Sequence, residues 1–433
     1  VSVQVRREEE VPMVRWFAVA AAALSLYGAY PARAVIRAND VVPAATLLYP
    51  YFEVDLSNEN GVTTLLTLQS ATASATLNRW TLWTDLGVPT IAFDTYLTGF
   101  DTLTFNLRDL FVGGNIPRTA SSGQDPQNTI SPKGDLSQDI NFASCSAANA
   151  LDPLPPNIPF LAGDPLTDLQ AAHRGLAAPT YFGSGNCGGV PHGDQIVRGY
   201  VTIDAVNQCM SILNGFTHPG AGSYFNGVVA TSQNVLVGDY VLVDPARNRL
   251  DSDVAVHIEA DPMAFGGGQY TFYGGLSTVD GSAIDYREPL ATAWAASYQR
   301  GDSELIVWRD TGRDTAAFSC GSLPAYYPMQ QEQIIGFDME STGTPVSGVT
   351  PFPYRTQIVP VGPASGLELP APRGWAFLNL NTFVPGNRFG LMKQTWVTVR
   401  RRLEPGDGMT GAWSAIPLGH PSNFDNPILV PNP

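Results

Sequence analysis

Ala75-Thr76-Leu77-Asn78-Arg79-Trp80-Thr81-Leu82-Trp83-Thr84 sets Leu77, Arg79, Thr81 and Trp83 on one face and Trp80 and Leu82 on the other. A period of two belongs to an extended strand, whose successive side chains point to opposite sides. The same punctuation recurs to either side. Val62-Thr63-Thr64-Leu65-Leu66-Thr67-Leu68 is short and rich in β-branched residues, and it follows Asn60-Gly61, a dipeptide that tolerates positive φ and predicts a hairpin with the strand over Thr46 to Val54. Thr102 to Leu110 alternates again. Further strands are predicted over Gln195 to Val206, Asn234 to Val243, Val254 to Glu259 and Tyr270 to Tyr273. A second series runs over Glu304 to Arg309, Glu332 to Met339, Arg355 to Val361, Trp375 to Leu380, Thr395 to Arg401 and Gly411 to Ile416. Regular short strands bounded by Gly, Pro, Asn and Asp predict a sandwich or barrel.

Two segments echo each other in the same order. Arg198-Gly199-Tyr200-Val201-Thr202-Ile203-Asp204 aligns with Arg373-Gly374-Trp375-Ala376-Phe377-Leu378-Asn379. Upstream, Trp83 to Pro89 faintly matches Phe337 to Pro345. A repeat of this kind implies two related units in tandem. The expected fold is therefore all-β: two tandem immunoglobulin-like antiparallel β-sandwiches, the first with a long irregular insertion. The first sandwich spans 35–275 with its insertion at about 113–193, residues 276–288 form a linker, and the second spans 289–433. The Cys…Trp…Cys spacing of true immunoglobulin domains is missing. Within the insertion one helix is predicted, with Asp164 as N-cap, Pro165 at N1 and a body over Leu166 to Leu176.

The first 34 residues read as a secretory leader. Arg15 precedes a small and apolar run from Trp16 to Tyr27, and Ala32-Arg33-Ala34 is a small-x-small cleavage triplet. The run is too short for a bilayer core of ~30 Å. Residues 1–12 do not resemble an n-region, which places the expected start at Met13. Export to the periplasm or the medium is expected, with no integral membrane segment in the mature form.

Of 433 residues, 44% are hydrophobic and 15% charged, enough apolar material to bury a core despite 42 Gly and 35 Pro. The net charge of −15 argues against nucleic acid and anionic membrane surfaces as partners. Four cysteines, Cys145, Cys187, Cys209 and Cys320, suggest two disulfides in an oxidising compartment. The favoured pairs are Cys145–Cys187 and Cys209–Cys320. No CxxC is present to suggest zinc.

Chemistry is sparsely signposted. There is no GxSxG, HExxH or P-loop, and the single GxGxxG match, Gly183 to Gly188, sits in the irregular insertion and reads as a loop. The densest acidic segment, Asp239 to Asp261, offers Asp251, Asp253, His257 and Glu259 as candidate ligands for Ca²⁺, against the plainer reading of turn aspartates. No other cofactor is expected. Asp55 to Gly61 loosely resembles a calcium loop, but its Gly falls one place late and a plain hairpin explains it. His192-Gly193-Asp194 places a His and an Asp where the insertion rejoins the strands. Trp80, Trp83, Trp308, Trp375 and Trp396 are expected in the core, whereas Tyr224, Phe225, Tyr326 and Tyr327 are placed for surface contact. Arg400-Arg401-Arg402 is expected to pair with acidic neighbours.

The leading functional expectation is an exported, non-catalytic protein for cell-surface or extracellular interaction, with an extracellular protein or a glycan as partner. A deep cleft holding paired carboxylates or a His–carboxylate couple would count against it. The alternative is a carbohydrate-active protein, either a glycan-binding module or a glycoside hydrolase. An outer-membrane barrel is disfavoured by the Pro-rich connections and the cysteines.

Overall fold

The computed structural model describes residues 41–117, 163–207, 218–220, 224–225, 229–265, 271–274, 285–311, 315–363, 367–384, 387–391, 393–402 and 410–419. The leader, the expected start at Met13, Cys145 and Cys209 lie outside these residues.

In the first half the strands are β1 Thr46–Asp55, β2 Thr63–Ser70, β3 Thr76–Thr84, β4 Pro89–Leu97, β5 Thr102–Asn106, β6 Asn186–Cys187, β7 Ile196–Val206, β8 Leu236–Asp244, β9 Arg249–Val254 and β10 Val256–Ile258. In the second half they are β11 Ala293–Gln299, β12 Ser303–Arg309, β13 Phe318–Ser319, β14 Gln331–Phe337, β15 Gly343–Val346, β16 Thr356–Pro360, β17 Arg373–Val384, β18 Asn387–Leu391, β19 Thr395–Arg402, β20 Thr410–Ser414 and β21 Ile416–Gly419. Among the described residues three short α-helices accompany them: α1 Leu107–Phe111, α2 Asp164–Ala172 and α3 Pro179–Phe182. All pairings between these strands are antiparallel. The chain is all-β, and among the described residues no helix is long and apolar enough to cross a membrane.

The strand order is the same in the two halves. One sheet of the first half runs β10-β1-β7-β3-β4, and its counterpart runs β21-β11-β17-β14-β15, with β18 added beside β17. Two further sheets run β5-β2-β8-β9 and β16-β12-β19-β20, and β6 pairs with β13 in a two-stranded sheet. The two sequence echoes fall on equivalent strands: Arg198-Gly199 on β7 matches Arg373-Gly374 on β17, and Trp83 on β3 matches Phe337 on β14. The glycines share one constraint. A Cβ on Gly199 would fall onto the carbonyl oxygen of Trp83, and a Cβ on Gly374 onto that of Phe337. Each glycine lets one neighbouring backbone approach where a side chain would forbid it.

The core has two main parts. Tyr49, Leu66, Trp80, Val201 and Tyr240 fill the space between the β10-β1-β7-β3-β4 sheet and the β5-β2-β8-β9 sheet. The opposite face of the former sheet presents Leu48, Trp83 and Tyr200 to Trp294, Trp308 and Trp396 of the second half. With both faces covered, β3 is buried along its whole length, including Asn78, Arg79 and Thr81. Arg79 is tolerated there because its cross-strand neighbour Asp94 accepts from Nε and Nη2 at 2.7 and 2.8 Å. The Trp residues expected in the core are buried, except that Trp375 is half-buried and stacks on Phe337 with centroids 4.1 Å apart.

A buried ion cluster joins the end of the expected linker to the first half. Asp285, Arg287 and Glu288 are all buried. The Arg287 guanidinium donates to Thr46 Oγ1 and to the Thr231 carbonyl (3.1 Å), and pairs with Asp285 (3.3 Å) and Asp204 (3.5 Å). It lies over the rings of Phe225 and Tyr273, 5.7 and 5.6 Å from their centroids. Tyr224 Oη and Tyr273 Oη donate to Asp204 at 2.7 and 3.1 Å. Here the sequence expectation is corrected: Tyr224, Phe225 and Tyr327 are buried, and only Tyr326 is half-exposed, because the Tyr224 and Tyr327 hydroxyls donate to buried acceptors and the Phe225 ring packs against Arg287.

Three local expectations also change. Asn60-Gly61 does not close a hairpin, since β1 pairs with β10 and β7 while β2 pairs with β5 and β8. The turn instead carries the chain from one sheet to the other. Asp55 Oδ1 accepts from the Ser57 amide at 2.8 Å, and Arg108 donates to the carbonyls of Asp55, Asn58, Gly61 and Val62 at 2.7–3.0 Å. A guanidinium thus serves the loop that loosely resembled a calcium site. The strand expected to Leu110 stops at Asn106, whose side chain accepts from the Arg108 amide and caps α1. Helix α2 forms close to its expected place, but Gly163 rather than Asp164 is the N-cap.

The disulfide pairing is different from both favoured pairs. Cys187 bonds to Cys320, with Cα atoms 4.9 Å apart and a sequence separation of 133. The cause is the small β6–β13 ladder, which sets Cys187 opposite Phe318 and brings Cys320 alongside.

Gly199→Ala is expected to lower stability by about 1–3 kcal/mol, since the added methyl must push β3 and β7 apart. Thermal unfolding of the variant beside wild type measures it, and an unchanged melting temperature would show that the ladder is looser than described.

Candidate functional site

Where strands of the two halves meet, the surface opens into a cleft of about 670 Å³. Tyr51 and Glu53 of β1, Asp85 of the β3–β4 turn, His192, Asp194 and Arg198 line one side; Glu304 of β12, Tyr354, Gln357 of β16 and Arg400 of β19 line the other.

The Asp85 turn is built by both halves. Gly87 turns the chain at φ +80°, and it packs against the side chain of Arg355. Arg355 itself lies against the rings of both Tyr200 and Trp308, 5.6 and 5.4 Å from their centroids, and pairs with Asp310 at 3.3 Å. The Thr356 amide donates to the Asp85 carbonyl at 3.0 Å, Tyr327 Oη to the Leu86 carbonyl at 2.5 Å, and Thr315 Oγ1 to the Gly87 carbonyl. So placed, the buried Asp85 carboxylate meets His192 Nε2 at 2.8 Å through Oδ2 and accepts from the Val190 amide at 3.0 Å through Oδ1. The imidazole side chain keeps 30% of its surface exposed towards the cleft. The Cys187–Cys320 bond anchors the segment that leads to His192.

The remaining charges are largely matched. Arg198 forks onto Asp194 at 2.9 and 2.7 Å. Hydrogen bonding from Arg198 holds the Asp194 carboxyl below the usual carboxylate range. Arg249 donates to Glu304 Oε2 at 2.7 Å and meets Asp251 at 2.8 Å. Arg400 Nε donates to the same Glu304 oxygen at 2.8 Å, and Nη1 lies 3.4 Å from Asp251. Burial pushes the Glu304 carboxyl up, but Arg400 and Arg249 outweigh burial and hold it at about 2. Because Arg249 and Asp251 belong to β9 while Glu304 and Arg400 belong to β12 and β19, this cluster also ties the two halves together.

The four candidate calcium ligands are not brought to one point. Asp251 is spent on the two arginines. Asp253 accepts from Thr398 Oγ1 at 3.2 Å, and burial raises its carboxyl to about 6. His257 lies in a different sheet on β10, accepts the Gly238 amide at 3.1 Å, and is lowered by burial to about 4. Glu259 follows β10, where its carbonyl accepts from the Glu288 amide. Among the described residues no group of three or more His, Cys, Asp or Glu could hold a metal. In His192-Gly193-Asp194 the two side chains have separate partners, Asp85 and Arg198. Arg400 pairs with acidic residues as expected, while Arg401 donates to Gln299 Oε1. Glu53, Asp85 and Glu304 carried no local signature; Asp85 was visible only as a member of the faint Trp83 to Pro89 echo.

No family model matches the chain, and no curated protein or solved structure matches it.

His173 and His257 are buried and held near 4, below the ordinary 6.5. The unfolded chain therefore binds protons that the native state refuses between pH 6.5 and 4. Stability is full above that window and falls as pH drops through it, by on the order of 3 kcal/mol for each histidine. His257→Gln, whose amide oxygen still accepts from Gly238, is expected to flatten this loss in urea titrations at pH 7, 5.5 and 4.5; an unchanged slope would exclude His257 as a source.

Proposed function

We propose that the protein is an exported β-sandwich protein that binds a saccharide, without cleaving it, in the cleft between its halves. The observation that carries this reading is the state of the cleft's carboxylates. A glycoside hydrolase needs a carboxylic acid kept protonated near neutral pH beside a second carboxylate. Here three of the four wall carboxylates, all but Glu53, are committed: Glu304 is held at about 2 by Arg400 and Arg249, Asp194 is held down by Arg198, and Asp85 is engaged by His192 and the Val190 amide. Paired charges and amides of this kind suit a ligand that presents many hydroxyls, and the half-exposed Tyr354 adds an aromatic side to the wall.

Export rests on the leader and is supported by the Cys187–Cys320 disulfide. The repeated strand order supports a tandem arrangement of two immunoglobulin-like sandwiches over 35–275 and 289–433. One observation favours hydrolysis instead, the Asp85–His192 couple facing the cleft.

Purified protein is expected to retain oligosaccharides on a glycan array, and Tyr354→Ala to weaken that binding at least fivefold. Incubation with the retained sugars should release no new reducing ends. Release by wild type that His192→Ala abolishes would replace binding with catalysis, and a folded protein that retains no saccharide would remove the reading.

A further inference from the structure

We infer that Glu53 is the ligand-accepting residue of the cleft and that the cleft selects uncharged saccharides over acidic ones; this rests on the saccharide reading above. Glu53 and Arg198 are direct cross-strand neighbours in the β1–β7 pair. An ion pair between them would be the ordinary outcome. Arg198 instead turns both terminal nitrogens onto Asp194. Arg400 is committed to Glu304 and Asp251. Glu53 is left with one long hydrogen bond, from Tyr51 Oη to Oε2 at 3.3 Å. Among the described residues, it is the carboxylate of the cleft wall with neither an ion pair within 4 Å nor a short hydrogen bond. It is half-buried on a strand, so its backbone is set before any ligand arrives.

A partly buried carboxylate with open acceptor sites is matched by adjacent hydroxyls, which can donate to its two oxygens together. An acidic sugar would meet the opposite situation. The wall holds Glu53, Asp85, Asp194 and Glu304 against Arg198, Arg249 and Arg400, and each arginine already has a carboxylate partner. A ligand carboxylate would enter beside Glu53 with no guanidinium fork left to receive it.

The duplicate in the second half supports this division. Gln299 faces Arg373 across the β11–β17 pair, as Glu53 faces Arg198. Gln299 is consumed locally, accepting from Arg401 and donating to Asp302 at 2.5 Å. The same scaffold position is tied off in one copy and left open in the other.

The test is calorimetric titration with neutral oligosaccharides and with uronate- or sialate-bearing ones, on wild type, Glu53→Gln and Glu53→Asp. Thermal unfolding serves as the folding control. Expected are tighter binding of the neutral class by wild type, and at least a tenfold loss of that binding in both variants at an unchanged melting temperature. Tighter binding of the acidic class, or full affinity in a folded Glu53→Gln, overturns the inference and leaves saccharide binding standing. Failure of wild type to bind either class overturns the saccharide reading and the inference with it.

Discussion

The Arg287–Asp204 cluster is the contact on which the rest of the structure depends. Arg287 stands at the end of the expected linker, just before β11, and Asp204 belongs to the central strand β7 of the first half. Taking a guanidinium and two carboxylates out of water costs several kcal/mol per ion unless each finds partners. Here the partners come from distant parts of the chain: Thr46 of β1, Tyr224, the Thr231 carbonyl, Tyr273 and Asp285. Satisfying the cluster therefore requires the β10-β1-β7-β3-β4 sheet to be covered from the far side. Once it is covered, Trp83 and Tyr200 can pack against Trp308, and Arg355 can lie against the Tyr200 and Trp308 rings.

The cleft follows from that closure. Its walls come from β1 and β7 on one side and from β12, β16 and β19 on the other, strands of the two halves that do not pair with each other, and their charges are compensated across the junction by Arg249, Asp251, Glu304 and Arg400. The Asp85–His192 couple has the same origin. Its turn is shaped by hydrogen bonds from Thr315, Tyr327 and Thr356, so an isolated first half would lack the clamps that set the carboxylate.

Period-two alternation made most strands readable, because it records only which side of a pleat each residue occupies. The repeat was readable at Gly199 and Gly374 for a steric reason: neither position admits a side chain. Other features were hidden because they depend on distant parts of the chain. Asn60-Gly61 carries the same local signal whether the next strand pairs with the previous one or crosses to another sheet. Tyr224 and Phe225 look like surface residues until Asp204 and Arg287 are brought to them. Cysteine count left the pairing open, and a two-residue ladder decided it. Asp85, Glu53 and Glu304 sit more than thirty residues apart in ordinary strand or turn contexts. Only the meeting of two sheets makes them neighbours.

The bond between Cys187 and Cys320 reaches from the insertion of one sandwich-like half into the other. Any peptide bond cut among the 132 residues it encloses leaves both fragments covalently attached. Nicking by a protease would then open a loop without releasing a piece, and the buried contacts across the junction would still be held at high local concentration. Wherever a protease reaches the chain, such a clasp converts a lethal cut into a tolerated scar.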